Sequence, residues 1–351
     1  MHLSAYDERH AIPTTAQITR AAHRTASLGS RVFPARGLAL HQLCEAVKEC
    51  GFSPVLIIGD FARPTADAKR VFAEGFSRDR FAGTLANLIR SGYPILLLGK
   101  YIHEGRNDPH AVCLVGFREN GVPDVAAGGV AWADASIQHV YVHDDNIGPS
   151  ARFALLDQQG SRSVDGKDVR AERVVLVRDP PGTTSGTALP SKSPWFLPTH
   201  VVVAVHHDLR TDPDVLHRLG SVIGERISRM LVPVWASAGK PGFGTTVGTQ
   251  FLRVAAYLGE ELELRLRGNA VALGKARLEL VEMVPPMSLF VGVIRISVAG
   301  RPFVDILCDT TDSDCNHSVF AHVAYDPLAA PIIASMSKKS RFTFGPAVTA
   351  F

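Results

Sequence analysis

The chain has 351 residues, long enough for two globular domains, and its 46% apolar residues supply enough material for sizeable cores. Its 37 Lys and Arg residues against 34 Asp and Glu give a net charge of +3 with no basic block, which argues against a nucleic acid or a charged membrane surface as partner. The first residues do not follow the pattern of a signal peptide, and no apolar run approaches the roughly 18 residues of a membrane-spanning helix.

Helical patterns come first along the chain. A short helix is expected over residues 12–26, where threonines that follow a proline can cap its start. A second helix is expected from about residue 38 to residue 50, because apolar side chains recur there at steps of three and four, and Gly51 suits the position after a helix end. "SPVLIIG" (residues 53–59) predicts a buried strand, and residues 65–91 predict a helical region.

Strand patterns follow, separated by loops rich in Gly, Asn and Asp. We expect strands at "YPILLLGKYI", "HAVCLVGF", "QHVYVHDD", "RFALLDQ" and "ERVVLVRD". Residues 180–195 are rich in Pro, Gly, Ser and Thr, a composition typical of a linker. The sequence therefore predicts a first domain over residues 1–179 and a second over residues 196–351. Because helices precede strands in the first domain, the predicted fold class is α+β.

The second domain is expected to be α+β as well. It opens with the strand pattern "THVVVAVHHD", and residues 213–231 predict a long helix whose apolar residues recur every four positions. A strand that continues into a helix is expected over residues 248–268. The apolar runs on either side of Ala299 and Gly300 predict two strands joined by a tight turn. The sequence indicates no function for this domain.

Two polar residues at strand ends suggest a catalytic pair. A cysteine hydrolase needs a thiolate, a histidine that accepts and returns its proton, and a carboxylate or amide that orients the imidazole. His110 opens the strand "HAVCLVGF", and Asp144 lies at the end of the strand "QHVYVHDD". Strand alternation places Asp144 on the apolar face of its strand, which favours it over Asp145, although a bulge at the strand end would exchange the two aspartates.

Several motifs of the first half occur in a recognisable order. They are the helix "GLALHQLCEA" (residues 37–46), "GF" (51–52), "YPILL" (93–97), "HAVCLVGF" (110–117) and "VYVHDDNIG" (140–148). This order resembles papain-like cysteine peptidases, and it is most similar to the bacteriocin-processing peptidases that act on double-glycine leaders. The resemblance implies a papain-like fold for the first domain, His110 as the general base, Asp144 as the residue that orients it, and a peptide or protein substrate.

The nucleophilic cysteine of that family has no clear counterpart in this chain. In the family it starts a helix upstream of the "GLALHQLCEA" helix, at a position that falls at or before Met1. Cys44 and Cys50 lie on or near the apolar face of the second predicted helix, and Cys113 points to the opposite face of its strand from His110. We therefore expect a hydrolase-like chain that is truncated or inactive. The alternative is a non-catalytic protein that binds a peptide or a protein.

The remaining polar clusters have plainer interpretations. "CDTTDSDCNH" (residues 308–317) contains Asp, Cys and His, but its composition is typical of turns, and "GKPGFGTTVG" (239–248) lacks a phosphate-binding motif. We expect no cofactor and no metal. The five cysteines are an odd number without a C-x-x-C pair, which favours reduced thiols in the cytoplasm. The sequence does not predict an oligomeric state.

Overall fold

The computed structural model of the chain describes residues 13–24, 38–59, 75–103, 106–119, 125–164, 167–178, 195–237, 243–283, 289–311, 319–339 and 344–351. These residues fall into two compact units. The first unit takes its residues from 1–81, 92–119 and 137–207, and the second takes them from 82–91, 120–136 and 208–351. No helix within the described ranges is long and apolar enough to span a lipid bilayer.

Within these ranges the chain forms eight helices and thirteen strands. The helices are α1 (Thr15–Arg24), α2 (Leu40–Glu49), α3 (Arg78–Arg90), α4 (Pro213–Ser237), α5 (Val254–Ala256), α6 (Leu262–Leu266), α7 (Ala270–Met283) and α8 (Ala329–Lys339), with a 3₁₀ turn at Ala133–Ser136 and a π turn at Tyr257–Glu261. The strands are β1 (Ser53–Ile58), β2 (Ile95–His103), β3 (Arg106–Glu119), β4 (Val130–Trp132), β5 (Ile137–Asp144), β6 (Gly148–Val164), β7 (Lys167–Arg178), β8 (Trp195–Val205), β9 (Thr245–Arg253), β10 (Phe290–Val298), β11 (Arg301–Asp309), β12 (Val319–Ala324) and β13 (Ala347–Thr349).

Six strands of the first unit close into an antiparallel barrel, in the order β2-β3-β5-β6-β7-β8. One edge of β8 pairs along its length with β2, and the other edge pairs first with β7 and then with β1. A strand with partners on both edges and apolar contacts on both faces should be an almost continuous apolar run, and "THVVVAV" within β8 is one. The barrel core is therefore built mostly from aliphatic side chains, among them Leu97, Leu114 and Val140.

The helix α2 precedes the barrel strands in the first unit. It lies within the range predicted from its apolar spacing, and Gly51, with a φ of 85°, follows its end. The left-handed conformation at Gly51 turns the chain into β1 at little steric cost, because glycine has no Cβ. Of the helical region expected over residues 65–91, the described part contains α3, and residues 60–74 lie outside the description.

The domain division differs from the one expected from composition. A second domain was expected to begin at residue 196, but β8 pairs with β1, β2 and β7 and so completes the barrel of the first unit. The second unit in turn includes residues 82–91 and 120–136. The difference arises because an apolar run in the sequence indicates that a strand is buried. It does not indicate with which sheet that strand forms its hydrogen bonds. Most of the predicted linker, residues 180–194, lies outside the described residues.

The second unit is built on a mixed six-stranded sheet with the order β13-β12-β11-β10-β9-β4. Its pairs are antiparallel except β12 with β13 and β4 with β9. The helix α4 packs against β9, and a Cβ at Gly224 would collide with the side chain of Val247. Between β10 and β11, Ala299 and Gly300 adopt φ values of 50° and 72°, which confirms the predicted strand pair and its tight turn. The α+β prediction thus holds for both units.

Candidate functional site

His110 lies on β3 and faces the barrel interior. Val112 and Leu114, two and four residues later on the same face, are buried. In the pairing with β2, His110 lies opposite Gly99. Its side chain keeps 15% of its surface exposed, so it lies at the boundary between the core and solvent.

Asp144 ends β5 and its side chain is fully buried. The Nε2 atom of His110 lies 3.2 Å from Oδ1 of Asp144, across 34 positions of sequence. The backbone N–H of Asn146 donates a 2.8 Å hydrogen bond to the same oxygen, and the Tyr101 hydroxyl donates a 2.9 Å hydrogen bond to Oδ2. Both carboxylate oxygens are therefore satisfied, as a buried charge requires.

These contacts keep the Asp144 carboxylate ionised. Burial alone would raise the pKa of Asp144, but the hydrogen bonds from the Asn146 N–H, the Tyr101 hydroxyl and His110 outweigh it and hold the pKa below its ordinary value. Burial raises the pKa of Tyr101, and the hydrogen bond to Asp144 and its negative charge raise it further. The phenol of Tyr101 therefore remains a hydrogen-bond donor at neutral pH.

The contact between His110 and Asp144 selects one tautomer of the imidazole. An ionised carboxylate only accepts hydrogen bonds, so Nε2 of His110 must carry the proton, which leaves Nδ1 as the basic nitrogen of the neutral ring. The Tyr101 ring packs against the imidazole with a centroid distance of 5.0 Å and an interplanar angle of 53°. Tyr101 thus positions both the carboxylate of Asp144 and the imidazole of His110.

Asp145, the alternative left open by strand alternation, is also close to His110. Its Oδ1 lies 3.4 Å from Nε2, but its side chain is 82% exposed. The buried and hydrogen-bonded Asp144 is therefore the fixed partner, and Asp145 is a solvated neighbour. Ligand atoms of His110, Asp144 and Asp145 lie within 4.8 Å of one another, which is the spacing of a candidate metal site.

A cavity of about 620 Å³ opens beside His110. Its wall is apolar at Leu38, Leu40 and Leu98 and polar at Lys100 and His200, and Gly99 and Asp145 also line it. Cavities of this size, with apolar walls and a few polar groups, commonly bind small molecules or peptide side chains. The cavity lies wholly within the first unit.

The described cysteines do not complete a catalytic pair with His110. Among the described residues, the His110 side chain forms polar or ring interactions with Tyr101, Asp144 and Asp145, and none of these cysteines hydrogen-bonds to it. Cys113 lies opposite His143 in the register of β3 and β5, on the other face from His110. Burial raises the pKa of Cys44, Cys50 and Cys113, which lowers the thiolate fraction at neutral pH.

Tyr101 and the Asn146 amide are the parts of the site that the sequence did not indicate. Tyr101 stands in an ordinary strand pattern, and only the register of β2 with β3 brings it beside His110. The Asn146 amide bonds to a side chain two residues earlier, an Asx-type turn for which an aspartate before a loop is a weak signal.

The cluster at residues 308–317 agrees with its plainer interpretation where it is described. Oδ1 of Asp309 accepts hydrogen bonds from the backbone N–H and the hydroxyl of Thr311, as in a local turn. Residues 312–318, including Cys315 and His317, lie outside the description.

Neither protein-family models nor curated proteins match this chain. The function is therefore inferred from the geometry around His110 and Asp144.

Proposed function

We propose that the first unit carries the general base and its orienting carboxylate in a papain-like cysteine hydrolase site that acts on peptide or other amide bonds. The observation that supports this proposal is the contact of His110 Nε2 with the buried, ionised Asp144, at the edge of the cavity of about 620 Å³. A histidine oriented in this way can deprotonate a thiol and then protonate a leaving amine.

In this mechanism Nδ1 of His110 takes the proton from a cysteine thiol as the sulfur attacks the carbonyl carbon of the substrate. The resulting imidazolium is stabilised by Asp144, which holds the ring without accepting its proton. The imidazolium then protonates the amine as the C–N bond breaks. Water hydrolyses the acyl-enzyme thioester, and His110 acts as the base for that step as well.

The source of the thiol is part of the proposal. Because no described cysteine hydrogen-bonds to His110, we propose that the nucleophile is none of Cys44, Cys50, Cys113 and Cys308. Two sets of proteins test this: the chain as printed, and four variants in which Cys44, Cys50, Cys113 or Cys308 is replaced by alanine. Any hydrolysis of a peptide library by the printed chain should persist in all four variants.

Point variants connect hydrolysis to His110 and Asp144. His110→Ala should abolish hydrolysis, and Asp144→Ala should reduce it strongly. His103→Ala is the matched control, because His103 is exposed at the end of β2 and should leave activity unchanged. Robust hydrolysis by the printed chain after replacement of all five cysteines would contradict the proposal.

A second candidate function is a non-catalytic protein that binds a peptide or another protein. It is favoured by the lack of contact between His110 and the described cysteines, while the cavity beside His110 is present. If the printed chain does not hydrolyse the library, peptide binding by this chain becomes the decisive measurement. Saturable binding that is weakened by a bulky residue in the cavity wall would support this function, for example after Ala111→Trp, because Ala111 also lines the cavity.

A further inference from the structure

The second unit contains a separate cavity lined by three arginines. Its volume is about 140 Å³, and its lining includes Arg90 at the end of α3, Arg265 on α6 and Arg295 on β10. The described lining contains no carboxylate side chain. All of the lining residues belong to the second unit, so this cavity is distinct from the one beside His110.

The sheet supplies the floor of this cavity through strand alternation. Thr246, Gly248 and Gln250 occupy alternate positions on β9, so they share one face. In the register with β10, Thr246 lies opposite Ser297 and Gly248 lies opposite Arg295. Because Gly248 has no side chain, the floor is open at this point. A Cβ there would lie 3.9 Å from Nη1 of Arg90.

Each arginine is anchored by a carboxylate outside the described lining. Arg90 is paired with Asp134. Nη2 of Arg265 lies 3.1 Å from Oδ1 of Asp305, and Nη2 of Arg295 lies 2.7 Å from Oε2 of Glu261.

The acceptor of Arg265 is itself held in place. The hydroxyl groups of Tyr257 and Tyr325 donate hydrogen bonds to Oδ2 of Asp305, at 3.3 Å and 2.9 Å. The carboxylate of Asp305 is fully buried. Arg265 is therefore fixed by a buried and hydrogen-bonded acid, and its guanidinium is presented to the cavity without a large cost in side-chain entropy.

Donors remain in excess around the cavity. Nε of Arg265, Nε of Arg295 and Nε2 of Gln250 are buried and have no hydrogen-bond partner among the described residues. Gln250 is only 4% exposed, so water does not readily satisfy its amide. The hydroxyl of Ser297 accepts a 3.4 Å hydrogen bond from Arg265, and its own proton is available to donate. Such a set matches a ligand that only accepts hydrogen bonds.

We propose that this cavity binds the phosphate group of a small molecule, held by Arg90, Arg265 and Arg295 with Gln250 and Ser297 as additional donors. Phosphate provides three or four acceptor oxygens, and guanidinium groups bind it by charge-assisted hydrogen bonds. The volume of about 140 Å³ accommodates one phosphate group. The site is independent of the hydrolase proposal for the first unit.

Inorganic phosphate is the probe that tests this proposal in the full-length chain. Phosphate is titrated by calorimetry at constant ionic strength, with chloride as the compensating anion, and the melting temperature is measured in parallel. We expect saturable binding and a melting temperature that rises with phosphate concentration, because a ligand of the folded state stabilises it by mass action. Acetate, titrated in the same way, should bind at least tenfold more weakly.

Matched glycine variants locate the binding. Gly248→Ala should weaken phosphate binding at least tenfold, because the methyl group enters the cavity next to Arg90 while making only ordinary van der Waals contacts, the closest at 3.6 Å to Ala133. Gly274→Ala is the control, since nothing lies within 4 Å of its added Cβ, and it should leave binding unchanged. Gln250→Glu, which brings a negative charge to the floor, should also weaken binding.

Three results would overturn the proposal. The first is a wild-type chain that shows no saturable phosphate binding at millimolar concentrations. The second is unchanged binding in both Gly248→Ala and Gln250→Glu, which would place the phosphate elsewhere. The third is tighter binding of acetate than of phosphate, which would assign the cavity to carboxylates. Circular dichroism of each variant without phosphate checks that the fold is intact.

Discussion

The hydroxyl group of Tyr101 donates a 2.9 Å hydrogen bond to Oδ2 of Asp144, 43 positions later in the sequence. The same Tyr101 ring packs against the imidazole of His110, whose Nε2 contacts the other oxygen of Asp144. One residue on β2 thus positions a histidine on β3 and an aspartate at the end of β5.

Tyr101→Phe should destabilise the fold by about 1 kcal/mol, because it removes a hydrogen bond to a buried carboxylate. The matched control is Tyr141→Phe on β5, where the hydroxyl has no hydrogen-bond partner among the described residues and the loss should stay below about 0.5 kcal/mol. Urea denaturation of both variants measures the difference. Equal losses in the two variants would show that the hydrogen bond does not stabilise the fold.

Asp144→Asn should make the free energy of unfolding depend less on pH in acidic solution. The folded pKa of Asp144 is lowered, so its stabilising contribution is fully present above the unfolded value of about 3.9 and is lost as the pH falls through the folded value. Between about pH 5 and pH 2 the free energy of unfolding should therefore fall less steeply in this variant than in the wild type. Asp145→Asn, at an exposed position, should keep the wild-type slope. Parallel slopes for all three proteins would refute the role of Asp144.

The thiols of Cys44, Cys50 and Cys113 should react slowly with iodoacetamide at neutral pH. Burial raises their pKa values, and the thiolate is the reactive form. Mass spectrometry of timed alkylation should show each thiol reacting several times more slowly than free glutathione. Rapid, selective alkylation of Cys113 would instead indicate an activated nucleophile on the face of β3 opposite His110.

Gly99→Ala should be strongly destabilising, by about 2 kcal/mol or more, because the added Cβ collides with the backbone carbonyl of Leu197 on β8. Since Gly99 lies opposite His110, the displaced β2 should also disturb the site. Gly116→Ala on β3 is the control, with its closest contact an ordinary 3.5 Å to Tyr141. Thermal unfolding compares the two variants. Similar melting temperatures would be inconsistent with the close approach of Gly99 on β2 to the Leu197 backbone on β8.

Local features of the fold were predictable where the sequence itself carries the constraint. Gly51 marks the end of α2 because a left-handed residue after a helix favours glycine. Ala299 and Gly300 mark a strand turn because two flanking apolar runs leave few residues to reverse the chain. The four-residue apolar spacing of α4 reflects the one face that it buries, including Leu219 and Ile223.

The candidate site was predictable only in part. Chain order and strand alternation brought His110 and Asp144 into consideration, and these two side chains are in contact. Tyr101 carried no signal, because its role depends on which strand pairs with β3 and in what register. The arginines of the second cavity come from α3, α6 and β10, which no sequence pattern links.

The sequence by itself determined most of the secondary structure, the faces of the strands and the chemical types available to a site, because these depend on neighbours a few positions apart. The tertiary structure decided that β8 completes the first barrel, that Tyr101 lies beside His110, and that Arg90, Arg265 and Arg295 surround one cavity. These relationships depend on strand pairing and side-chain packing between residues far apart in the chain, where local propensity carries no information about the partner.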